Sequence, residues 1–130
     1  MGSYSGQWDS PKPAVRGRQF LSDDEAIDRA GSQQRLNRSM AVRLGEGFFD
    51  NPVQMMLLEL FIARIEQRET TVKVLAASSG VPASTAQRWI DRMEAQRLIN
   101  KQSNGGDRRS IFVTIDDQAF ANVRSLLAKL

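Results

Sequence analysis

Apolar residues recur along this chain with two periods, and the switch between them marks its working part. From Gln33 to Leu44 they fall every fourth position, at Leu36, Met40 and Leu44, with Arg35, Arg38 and Arg43 between. That spacing predicts an amphipathic helix ended by Gly45-Glu46-Gly47, since residues four apart share a helix face and glycine accepts the turn that closes it. Phe48 and Phe49 then anchor the connection, and Asp50-Asn51-Pro52 restarts a helix with a capping side chain ahead of a first-turn proline. The helix so begun, from Pro52 to about Gln67, is the most apolar in the chain, with Val53, Met55, Met56, Leu57, Leu58, Leu60, Phe61, Ile62 and Ile65 spread over more than one face. Such a helix must be covered from several directions. It reads as a central core helix or as a dimer interface; a methionine-lined ligand pocket is a third reading, although methionine fills cores far more often than it marks sites.

Next come two short helical runs. Val72 to Val81 reads as a helix stopped by Gly80, a residue that takes positive φ at little cost. Counting from Val72, a small residue stands fifth (Ala76), the glycine ninth, and apolar residues tenth, fifteenth and eighteenth (Val81, Ala86, Trp89). This is the spacing of a helix-turn-helix: the small residue lets the helices cross closely and the later ones turn the second helix inward. The second helix, from about Ser84 to Gln96, buries Ala86, Trp89, Ile90 and Met93 and leaves Thr85, Gln87, Arg88, Asp91 and Arg92 outside. The period then changes to two. Residues 98–103 and 110–115 are strand-like and flank Asn104-Gly105-Gly106-Asp107-Arg108-Arg109, which predicts a hairpin whose tip carries adjacent arginines. Thr71, or a short strand there, is placed to pair with it. Asp116 and Asp117 cap a last helix with Phe120, Val123, Leu126, Leu127 and Leu130 on one stripe.

The first 32 residues fit this pattern least. Residues 1–21 are rich in Gly, Ser and Pro without periodicity, so disorder is expected; Lys12, Arg16 and Arg18 make the tail either inert or a basic arm. Ser22-Asp23-Asp24-Glu25 is a capping box that could start a short helix through Ala30. A stop at Gly31-Ser32 and a thin apolar face argue against its joining the core. The expected organisation is therefore a tail over 1–32 and one domain over 33–130, with flanking helices at 33–44 and 117–130. At 130 residues the chain suits one domain with a proper core.

Charge sharpens the picture. The net charge is only +3, but Ser84 to Arg109 holds six basic residues against three acidic ones, a distribution suited to a polyanion. Arginine pairs with guanine edges, glutamine with adenine, and threonine or serine with phosphate, so Ser84, Thr85, Gln87 and Arg88 are candidates to read or position DNA. Arg92, Arg108 and Arg109 are candidates for phosphate or minor-groove contacts. Ser84 has an alternative: Ser84-x-x-Gln87 is itself a capping-box pattern, and a Gln87 folded back on the helix could not also read a base. With no cysteine and no histidine, thiol redox chemistry, disulfides, Cys/His zinc sites and histidine catalysis are excluded. No phosphate loop appears, and Asp116-Asp117 is better explained by capping than by catalysis. No enzyme, metal or cofactor is expected. No apolar run is long enough for a membrane span and no signal pattern opens the chain, so a soluble cytoplasmic protein is expected.

The stretch Ser84-Thr85-Ala86-Gln87-Arg88-Trp89-Ile90-Asp91-Arg92-Met93-Glu94, then Leu98-Ile99, then Asp107-Arg108-Arg109 followed by Ile111, Val113 and Ile115, resembles the winged-helix core of the multiple-antibiotic-resistance-regulator (MarR) family of bacterial transcription factors. The resemblance covers about the last 80 residues. It implies a mainly α fold with a small β-hairpin wing, a homodimer on a pseudo-palindromic site, and a role for Asp107 and Arg109 in shaping the wing and contacting DNA. It alone implies a small-molecule effector. Arg97 stands where the family usually has a glycine, so a left-handed non-glycine residue is expected there. The leading expectation is a dimeric winged helix-turn-helix regulator that binds double-stranded DNA. The alternative is a winged-helix module that binds protein instead.

Overall fold

The computed structural model describes residues 20–45, 50–104 and 107–130. In order these form α1 (Asp23–Leu44), α2 (Pro52–Ile65), α3 (Val72–Ala77), α4 (Ala83–Ala95), β1 (Ile99–Asn104), β2 (Asp107–Ile115) and α5 (Asp117–Ala128). Residues 1–19 of the tail expected over 1–21, the Phe48-Phe49 anchor and the Gly105-Gly106 turn lie outside the described residues; Leu21, at the end of that tail, is buried against the core instead.

α1 opens on the capping box read from sequence. The Ser22 hydroxyl accepts from the Glu25 amide, and the Glu25 carboxylate accepts from the Ser22 amide, each at 3.1 Å. The helix then runs unbroken through Gly31 and Ser32, where a stop is expected. An interior glycine costs a helix roughly 1 kcal/mol, and packing on both sides of it outweighs that. Ala26 and Ala30 are fully buried, so the thin apolar face is a core face whose small side chains allow close approach. Two arginines secure it: Arg124 of α5 donates to the Leu21 carbonyl and, at 2.9 Å, to the Asp23 carboxylate, while Arg29 donates to the Leu127 carbonyl at 2.9 Å. Further along, the inward position is Gln34, whereas Leu36 and Leu44 of the predicted stripe are 55% and 65% exposed. The period holds, but the stripe faces away from the core.

α2 is the central helix. Met55, Met56, Leu58, Leu60, Phe61, Ile62 and Ala63 are buried, and α1, α3, α4, α5 and β2 all pack against it, the coverage its apolar circumference demands. Asn51 precedes it without capping it, donating instead to the Asn37 side chain at 3.1 Å; Pro52, at the first helical position, has no N–H to leave unsatisfied. Phe61 stacks on Phe120 of α5 with ring centroids 4.8 Å apart. Arg64 lies over the same ring at 4.3 Å and pairs with Asp117 at 2.8 Å. Asp116 therefore caps α5 alone, accepting from the Gln118 and Ala119 amides at 2.9 and 3.2 Å.

Two turns position α4. Gly80, at φ 82°, separates α3 from α4 as its sequence position requires. At the far end Arg97 has φ 62°, with the Arg97 amide donating to the Glu94 carbonyl and the Leu98 amide to the Met93 carbonyl, both at 2.9 Å. That is a Schellman closure with arginine in the place glycine usually fills. Left-handed backbone costs a residue with a Cβ about 1–2 kcal/mol, partly offset by glycine's own entropy cost. Arg97→Gly is thus expected to stabilise the fold by about 1 kcal/mol, read as a higher urea midpoint at unchanged slope; a lower midpoint would show that the Arg97 side chain contributes more than its backbone costs.

The hairpin is antiparallel, from Ile99 opposite Ile115 out to Ser103 opposite Ile111. Its base is clamped. Thr71 bridges Phe112, the Val113 amide donates to the Thr70 carbonyl at 2.8 Å, and the Asp116 amide to the Leu98 carbonyl at 2.9 Å. Ile99, Val113 and Ile115 are buried while Ile111 is partly exposed, because the strands leave the core as they run toward the turn.

Candidate nucleic-acid interface

α4 presents one face to the core and one to solvent. Ala86, Ile90 and Met93 are buried and Trp89 packs partly against the same cluster. Ser84, Gln87, Arg88, Asp91 and Arg92 are exposed and Thr85 is half-buried, which brings the predicted α4 residues onto one outer surface. The helix begins at Ala83 behind Pro82, so Ser84 sits inside the first turn and is not its cap. The capping-box alternative is absent: Gln87 Nε2 donates forward to Asp91 Oδ1 at 3.1 Å. Arg92 lies over the Trp89 ring at 4.7 Å, a stack that orders a long cationic side chain before any ligand arrives. Among the described residues Arg88 has no ion-pair partner, leaving its planar fork open to a phosphate or a guanine edge.

A cluster that the sequence reading missed ties this helix to the hairpin. Lys101 of β1 donates to Asp91 Oδ1 at 2.7 Å and lies 3.4 Å from Glu94 Oε1. Spacing along α4 pairs Gln87 with Asp91, but only the strand register brings Lys101 beneath them. Hydrogen bonds from Lys101 and then Gln87 hold the Asp91 carboxyl below its ordinary value, and the bond to Asp91 raises the Lys101 ammonium above its own. A depressed carboxylate contributes stability that is lost as pH falls through its folded value; a raised ammonium contributes stability that is lost as pH rises through its folded value. Asp91 and Lys101 are therefore both charged through the neutral range.

The hairpin stands beside this surface. A cleft of ≈ 630 Å³ lies between α3, the start of α4 and β2, lined in part by Lys73, Ala83, Gln87, Ser110 and Ile111. Asp107, Arg108 and Arg109 open β2 at the end away from the core, and their side chains lie outside the described residues. Among the described residues there is no group of three or more His, Cys, Asp or Glu side chains placed to hold a metal ion. No helix among them is long and apolar enough to cross a membrane. The arrangement sets a helix with donors on its outer face beside the hairpin, across one cleft.

Residues 51–110, from the entry to α2 as far as β2, match the model of the MarR family. Among curated proteins none matches the chain.

Proposed function

Since residues 51–110 make this chain a winged-helix transcriptional regulator of the MarR family, we propose that it acts by binding double-stranded DNA as a homodimer. In this reading α4 lies in the major groove, with Thr85, Gln87 and Arg88 toward the bases and Ser84 and Arg92 toward phosphates. Asp107, Arg108 and Arg109 shape and charge a wing laid along the backbone or in the minor groove. The observation that carries the proposal is the exposed face of α4, where Arg88 is unpaired among the described residues, set beside the hairpin across one cleft. Dimerisation has separate support. Leu36, Leu44, Leu126 and Leu130 are each more than half exposed, and an apolar groove of ≈ 550 Å³ runs past Val53, Leu57, Leu126 and Leu130. Apolar surface of this kind marks a partner site, and a second copy covering the same patch gives the two-fold arrangement that half-sites require.

The test is titration of the chain onto a random-sequence duplex of about 30 base pairs across a salt series, where each phosphate neutralised contributes roughly −0.9 to the slope of log K against log salt. Steep salt dependence with two chains per bound duplex is the expected result. No binding at low salt would overturn the proposal and favour the alternative, a winged-helix module that binds protein.

A further inference from the structure

Asp91 is an awkward residue for a helix face turned toward DNA, because its charge repels phosphates. We propose that Asp91, held from behind by Lys101, is a positioning residue that fixes the Gln87 amide in one orientation and so sets the base preference of α4 at one position, favouring adenine. The inference rests on the DNA-binding reading and goes beyond it, since neither Asp91 nor Lys101 is required to touch a base.

The chemistry follows from one shared oxygen. Asp91 Oδ1 receives Lys101 Nζ at 2.7 Å and Gln87 Nε2 at 3.1 Å. An ionised carboxylate can only accept, so the Gln87 amide must turn its NH₂ group toward it. One amide hydrogen is thereby used. The carbonyl oxygen and the second hydrogen remain, one acceptor beside one donor, and this complements the N6 donor and N7 acceptor on adenine's major-groove edge. A free glutamine side chain would have to be ordered out of many rotamers on binding, and an immobilised one has met that cost already. Lys101 supplies the fixed end. Its side chain is 21% exposed, against 57% for Asp91; between Asp91 and Glu94 it pins the carboxylate to the base of the hairpin and offsets its charge.

The competing account is that the Gln87–Asp91 pair only supports the helix, as pairs four apart do. The two accounts part on sequence preference. A preferred site is first selected from a random pool with the full chain, and each base pair is then substituted in turn. The substitution profile is measured for the parent, Gln87→Ala, Asp91→Asn, Lys101→Met and the Gln87→Ala/Asp91→Asn pair. Asparagine keeps the shape but can donate as well as accept, so it no longer dictates how the amide turns. Asp91→Asn is expected to lose about three- to tenfold of discrimination at the single base pair that Gln87→Ala also relaxes, with no further loss there in the double variant. Lys101→Met is expected to relax the same pair. Removing a negative charge also tightens random-duplex binding for every sequence. Uniform tightening with an unchanged profile would overturn the proposal, as would relaxation at a different base pair from Gln87→Ala. A parent that fails to bind random duplex at all would overturn the DNA-binding reading itself and this inference with it.

Discussion

Replacing Arg88 and Arg109 together by alanine is expected to weaken specific DNA binding by at least an order of magnitude at physiological salt. Each arginine, in contact with a base edge or a buried phosphate, is worth roughly 1–3 kcal/mol. One sits on α4 and the other at the outer end of β2, so the losses should add. The sum, about 2–6 kcal/mol, is roughly thirtyfold to more than ten-thousandfold in affinity. The salt series separates the two roles. An arginine on phosphate takes about one unit from the slope when removed, whereas an arginine on guanine relaxes preference at one base pair. Arg88→Ala alone should move the melting temperature little, because Arg88 is exposed and has no ion-pair partner among the described residues. A double variant that binds like the parent would remove both residues from the interface and with them the proposed docking of α4 and the wing.

What sequence alone could reach was set by the range of the physics behind each element. The α2 to β2 segment was legible because its signals are local: an apolar helix, a glycine where φ must be positive, a small residue at the helix crossing, then alternation into a hairpin. Arg97 was reached only through the family resemblance, which places a glycine there; the residue itself carries no local signal of the left-handed backbone it adopts, at φ 62°. α1 was misread at Gly31 because propensity is a local preference, while Ala26 and Ala30 are buried by distant elements and clamped by Arg124, 101 positions from Asp23. The outward stripe of Leu36 and Leu44 shows the limit of periodicity: it says that a face exists, not what covers it. The Lys101–Asp91–Gln87 cluster needed the strand register as well as the helix spacing. At the candidate interface, then, the residue types could be read individually, but their mutual restraint could not.

Phe61→Ala should be the most damaging single change to the fold. Phe61 is fully buried in α2 and stacked on Phe120, itself covered by Arg64. Truncating a buried phenylalanine costs about 3–5 kcal/mol, through lost transfer energy and the cavity left behind. Domains of this size are stable by only about 5–15 kcal/mol, so the melting temperature should fall by roughly 10–20 °C. Because α2 is the helix on which every other described helix and β2 packs, the loss should appear as one cooperative transition rather than as detachment of α5. The stacking share can be isolated with Phe120→Ala and the double variant: an offset aromatic pair couples by about 0.5–1.5 kcal/mol beyond its buried area. Additive losses would mean that the rings are merely neighbours. A fall of only a few degrees for Phe61→Ala would mean that the core closes over the gap, and α2 would lose its place as the scaffold that holds α4 against the hairpin. Folded Phe61→Ala molecules should still prefer the same DNA site, since the change removes support behind α4 and no group on its outer face.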